Sequence, residues 1–186
     1  MATTALLWAV HDEFLRYMAR IEDGQVAVVD GAEQLPDGRF RFPVRDDAGP
    51  ADGGAPGPLP QSGGSTRFRG AVVCTGHHGM LAVTIAAPEL VLHEETAELV
   101  IDDPFSPGDR MSMADLRPSN EDPCLFEAHL SEEGADLFQG VYATGMALAT
   151  ARLEQRQPAA RHAPDDSAPV STTPAGSTIP STEDPS

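Results

Sequence analysis

Lysine is absent from all 186 residues, so the 12 cationic side chains are arginines, set against 29 Asp and Glu for a net charge of −17. A chain this acidic lacks the clustered cations that neutralise phosphates, which excludes nucleic acid as a partner, and it is repelled by an anionic membrane surface. The one local basic group, Arg39, Arg41, Arg45, Arg67 and Arg69, interleaves with Phe40, Phe42 and Phe68. That alternation predicts the solvent face of two strands. Cysteine is scarce. Cys74 and Cys124 belong to no CxxC or other metal-ligand spacing, and they are read either as a pair in an oxidising compartment or as two isolated thiols. Enzyme signatures are also missing: there is no GxSxG, no P-loop, no GxGxxG and no HExxH. No run approaches the ~18 apolar residues of a membrane span, and no basic stretch leads into an apolar one at the start, so a cytoplasmic location is expected.

What is present is concentrated between residues 3 and 153. Residues 5–21, ALLWAVHDEFLRYMARI, hold no Gly or Pro, and Leu7, Val10, Phe14, Tyr17, Met18 and Ile21 fall at helical spacing. They predict an amphipathic helix, capped by Thr3 or Thr4 and ended at Gly24. The period then changes to two. Gln25–Val29, Gly38–Val44, Thr66–Cys74, Met80–Ile85, Leu90–His93, Ala97–Asp102 and Leu125–Leu130 read as strands divided by Gly, Pro and Asp turn signals. Residues 46–65 form a Pro/Gly-rich loop inside the domain. Ser131 followed by Glu132 and Glu133 predicts the capped start of a short late helix. Residues 154–186 are rich in Pro, Ala, Ser and Thr and contain no aromatic residue. Such a segment buries too little apolar area to offset its ordering entropy, so a disordered acidic tail is expected. The fold class is mainly β: a sandwich-like domain with an N-terminal amphipathic helix and a short late one.

One segment carries chemistry: Cys74-Thr75-Gly76-His77-His78-Gly79-Met80-Leu81, two histidines between glycines at the junction of two strands. Glycine permits a tight turn or close approach of a ligand. If the pair is extended, only one of the two imidazoles faces an interior pocket. A polar turn with solvated histidines is the competing reading.

At these residues a resemblance emerges. Leu7-Trp8-Ala9-Val10 leading into Asp12-Glu13-Phe14-Leu15-Arg16-Tyr17 is similar to the opening of HtaA-type domains. Phe68-Arg69-Gly70-Ala71-Val72 and Thr75-Gly76-His77-His78-Gly79-Met80-Leu81 resemble that family's strand and Gly-His turn. Ile85-Ala86-Ala87-Pro88-Glu89-Leu90 resembles the strand end that follows, and 138–148, FQGVYATGMAL, its closing motif. The matches keep their order along the domain. The resemblance implies a β-rich domain from the haem-uptake systems of actinobacteria. It implies Tyr17 as the axial ligand of ferric haem, His77 as the hydrogen-bond partner of that phenol and Tyr142 as a contact to a haem propionate. Phe14, one turn before Tyr17, would offer an apolar wall to the porphyrin. This chain departs from the pattern at Glu13, where the family tends to have Ser, at His78 in place of Asp, and at Ala149-Thr150 in place of Asp-Pro. A carboxylate at Glu13 would repel a propionate.

The expected function is therefore a protein that holds ferric haem through an axial tyrosinate. The alternative is an intracellular natural-product tailoring enzyme of cyclase or dehydratase type, or a carrier, that uses the same pocket for an aromatic metabolite, with Tyr17 and His77 as an acid–base pair. An interaction module without ligand is the third reading.

Overall fold

The computed structural model of the chain describes residues 2–45 and 63–156. Twelve strands and two α-helices are found there: β1 (Ala2–Trp8), α1 (Asp12–Met18), β2 (Gln25–Val29), β3 (Glu33–Gln34), β4 (Phe40–Pro43), β5 (Ser65–Arg67), β6 (Ala71–Gly76), β7 (Leu81–Ala86), β8 (Glu89–Leu92), β9 (Ala97–Asp102), β10 (Arg110–Pro118), β11 (Leu125–Leu130), α2 (Glu132–Leu137) and β12 (Ala151–Arg156). A single 3-10 turn, His77–Gly79, joins β6 to β7. Nine strands form one sheet in the order β3-β4-β1-β12-β11-β10-β9-β8-β5, and β2-β6-β7 form a second. All pairings are antiparallel. The mainly β, sandwich-like reading agrees with this architecture.

The N-terminal segment differs from expectation. Residues 2–8 are a strand, and the helix is confined to Asp12–Met18. β1 lies between β4 and β12, and Leu6, Leu7 and Trp8 are all buried. A strand covered on both faces needs a continuous apolar run, and over a few residues that run cannot be told from a buried helix. Val10, with φ of +60°, and His11, extended at φ −147°, separate the two elements. The cap is not Thr3 or Thr4. His11 Nδ1 accepts the backbone N–H of Glu13 at 3.1 Å, while Thr4 Oγ1 sits 3.0 Å from the Glu154 carboxylate in β12. The helical stripe also splits: Phe14 and Met18 are buried, but Tyr17 is 44% exposed.

Two further differences have local causes. The expected strand 66–74 is two strands in different sheets, broken at Gly70 with φ of +103°. β10, the nine-residue strand, has no counterpart in the sequence pattern. Its residues, RMSMADLRP, include no β-branched or aromatic side chain, and a register shift between Ser112 and Ala114 spoils the alternation. The strands Gln25–Val29, Ala97–Asp102 and Leu125–Leu130 and the Ser131 cap stand where the pattern puts them; Ser131 Oγ accepts the Gly134 N–H at 2.9 Å. The loop 46–65 lies outside the described residues except at 63–65, and the expected tail lies outside them beyond Arg156.

One core joins the two sheets and α1. Trp8, Phe40, Phe42 and Phe68 are fully buried in it, with Phe14, Met18, Val72 and Leu99. The indole N–H of Trp8 donates to the Ala149 carbonyl at 2.8 Å, which ties β1 to the closing segment. The arginines expected on a solvated face are engaged at its edges. Arg41 pairs with Glu154 at 2.9 Å, and Arg67 and Arg110 flank the buried carboxylate of Glu89 at 3.0 and 3.3 Å. Both thiols are free, Cys74 buried and Cys124 half-buried.

Candidate functional site

The end of α1 faces the turn between β6 and β7. Gly76 packs closely there: an added Cβ would lie 3.3 Å from Ile21 Cδ1 and 3.7 Å from Met18 Cε, so the Ile21 side chain would have to give by a few tenths of an ångström. The histidine pair is not extended. His77 and His78 both adopt left-handed backbone, at φ +51° and +57°, and Gly79 continues at φ +87°. Left-handed conformations cost non-glycine residues roughly 1–2 kcal/mol each. The turn is held by Asp23, which follows α1: its carboxylate accepts the backbone N–H of His77 at 3.0 Å and of His78 at 2.5 Å. Those bonds, the one from His78 foremost, hold the Asp23 carboxyl below the usual carboxylate range. Both imidazoles therefore project from the same turn, and neither enters the interior.

The result of this docking is a contact between Tyr17 and His77, which are 60 residues apart in the chain. The Tyr17 hydroxyl and His77 Nε2 share a hydrogen bond of 2.6 Å. The pair lines an open cleft of about 760 Å³ whose walls also include Arg20, Ile21, Asp23 and Met80. Cavities of roughly 300–1,000 Å³ are the usual size of small-molecule sites. Tyr17 and Met80 are among the large side chains left exposed, Met80 at 76%.

Phe14 does not line this cleft. It is buried and meets Phe138 edge to face at 5.1 Å, and Phe138 in turn meets Tyr142 at 5.3 Å. Tyr142 is half-buried and stacks on His11 at 4.5 Å between ring centroids. Burial pushes the Tyr142 phenol above its ordinary pKa, and the negative charge of Glu13 and the neighbouring Tyr17 add to the shift. Glu13 and Tyr17 thus lie within electrostatic reach of Tyr142. His11 is buried with its Nε2 3.3 Å from Met146 Sδ, and burial lowers its pKa.

Sequence reasoning missed His11, Asp23 and Arg20. His11 carried a signal, since a polar residue directly before Asp12-Glu13 fits an N-cap. Asp23 carried none, because the amides it binds lie more than 50 residues away. Among the described residues no group of three or more His, Cys, Asp or Glu side chains is placed to hold a metal ion. No helix among them is long and apolar enough to cross a membrane.

Comparison with known proteins bears on both fold and family. The HtaA (Htaa) domain family matches residues 3–154. The C-terminal domain of HtaA from Corynebacterium glutamicum has a similar structure, with 23% identity and a TM-score of 0.63 over 82% of this chain and 95% of that one. The N-terminal domain of the same protein also aligns at 23% identity and a TM-score of 0.63, over 84% and 99%. The heme binding protein HtaB of that organism aligns at 20% identity and a TM-score of 0.57, over 82% and 93%. No curated protein matches the chain. The ordered motifs, the two-sheet fold and a family match that spans nearly all the described residues lead to one conclusion: the chain belongs to the HtaA family.

Proposed function

We propose that this protein binds ferric haem in the cleft between α1 and the β6–β7 turn, with the Tyr17 phenolate as the axial ligand. The observation that carries the reading is the 2.6 Å contact between the Tyr17 hydroxyl and His77 Nε2 at the wall of that cleft. The reading also draws on the family and on the similar fold of HtaB, a heme binding protein.

The residues present fit the group. A phenolate is a hard anionic donor of the kind used for haem iron. His77 Nε2–H donating to the phenolate oxygen stabilises the charged form and fixes the ring, as hydrogen-bond partners of metal ligands generally do. Asp23, by fixing the backbone of the histidine turn, sets where that donor stands. Ile21 and Met80 give the cleft its apolar surface; the half-buried Tyr142 lies outside that lining but within electrostatic reach of Tyr17, and its phenol, kept protonated by its raised pKa, would donate to a propionate oxygen that extends beyond the cleft. The group itself supplies an electrophilic iron centre within a flat apolar ring. Nothing in the geometry favours the tailoring-enzyme or carrier alternative.

The test is a haemin titration of the purified protein followed in the Soret region. One-to-one saturable binding with a high-spin tyrosinate-type spectrum is expected, lost in Tyr17→Ala. His77→Ala should weaken binding by ~10–100-fold, the usual cost of removing a ligand's hydrogen-bond partner. Absence of a saturable change at micromolar haemin would end the haem reading, and wild-type binding by Tyr17→Ala would end the tyrosinate.

A further inference from the structure

Resting on the haem reading, we infer that Arg20 is the binding residue for a carboxylate on the edge of the ligand. Arg20 stands two residues beyond the end of α1, its backbone N–H donating to the Tyr17 carbonyl at 2.9 Å, and its side chain lines the same cleft as Tyr17 and His77. Most other arginines are committed: Arg39 to Asp37, Arg41 to Glu154, Arg67 to Glu89, Arg110 to Glu89 and Asp102, and Arg152 to Asp122, while Arg69 and Arg117 lie outside this cleft. Arg16 is held by the Asp12 carbonyl. The Arg20 guanidinium makes no ion pair or side-chain hydrogen bond with any described residue, although Asp23 stands in the same wall. Asp23 instead accepts the amides of His77 and His78, one on each oxygen.

The charge around the cleft gives Arg20 its role. Glu13 and Tyr142 lie outside its lining, although the negative charge of Glu13 acts on the Tyr142 phenol. Glu22 and Asp23 add more of the same sign along the wall. A planar ligand with two carboxylates needs a counter-charge there, and guanidinium, with two parallel N–H donors, matches a carboxylate geometrically. The competing role for Arg20, a cation that complements the end of a short helix, requires no ligand.

The experiment compares haemin with haemin dimethyl ester, in which both carboxylates are masked, on wild type, Arg20→Gln and Arg20→Lys. Arg20→Gln should raise the Kd for haemin by about three- to tenfold, as expected for a charge-assisted bond in an open site, and leave the Kd for the ester unchanged. Arg20→Lys should restore part of the haemin affinity. The ligand-free Tm should be the same in all three, which a helix-end role would not give. Equal losses with both ligands, or no loss with haemin, would overturn the assignment and leave the haem reading standing. If wild type binds neither ligand, the haem reading falls and takes this inference with it.

Discussion

Gly70→Ala tests how the chain is passed from one sheet to the other. Gly70 separates β5, at the edge of the nine-stranded sheet, from β6 in the three-stranded one, and β6 runs directly into the histidine turn. Its φ is +103°, and an added Cβ would lie 2.5 Å from the Ala32 backbone nitrogen and 2.7 Å from Ala32 Cβ. Gly38 is a built-in control: its φ of +85° is also left-handed, but nothing lies within 4 Å of an added Cβ. The dihedral penalty, about 1–2 kcal/mol, is common to both substitutions, as is the ~0.4–1 kcal/mol that Ala returns by restricting the unfolded chain. Only Gly70 adds the overpacking cost, about 1–3 kcal/mol, because backbone cannot swing away. Gly38→Ala should therefore cost about 1 kcal/mol and Gly70→Ala about 2–4 kcal/mol. Urea unfolding followed by the fluorescence of Trp8, the single and fully buried tryptophan, gives both values from the midpoint and slope. If Gly70→Ala costs no more than Gly38→Ala, the close approach to Ala32 is not a constraint and the argument fails.

Three other substitutions or measurements probe the same frame. Phe14→Ala should cost about 3–5 kcal/mol in the same assay, since the ring is buried against Phe138; a loss below ~1 kcal/mol would mean the cluster collapses without cost. Burial pushes the Cys74 thiol up to about 11, while Cys124 is half-buried and less shifted. Iodoacetamide at pH 8 should accordingly alkylate Cys124 well before Cys74 in the native protein, as read by peptide mass spectrometry, and the reverse order would refute the burial argument. Burial lowers the pKa of His11 below its ordinary 6.5, so the unfolded chain binds that proton first as the solution is acidified. Its contribution to stability is complete above about pH 6.5 and is lost as pH falls through the lower folded value. His11→Asn keeps a capping acceptor and should flatten the stability–pH curve below pH 6.5; an unaltered curve would remove His11 from the account.

The candidate site was legible in its parts and not in its assembly. Two glycines around adjacent histidines announced a special turn, and Tyr17 fell on the helical stripe of residues 5–21. The resemblance to a known family paired the two, but the physical means, an Asp23 carboxylate holding two left-handed amides, is a contact across more than 50 residues that no local pattern encodes. Glu13 was noticed as a charge; its neighbourhood with Tyr142 appears only when the closing segment folds back on α1.

The sequence by itself determined that the protein is mainly β, where the strands Gln25–Val29, Ala97–Asp102 and Leu125–Leu130 begin and end, and that Ser131 starts a helix, because periodicity and capping act over a few neighbouring residues. It could not determine that the apolar run before His11 is a strand. That outcome depends on β4 and β12 arriving from elsewhere to pair with both edges of β1, and the same run would serve a buried helix. Nor could it mark β10, whose bulged and unbranched sequence is held as a strand by β9 and β11 on either side. Which side of Tyr17 meets the cleft was likewise decided by tertiary structure, since a helix of seven residues presents several faces and only packing against β6 selects one.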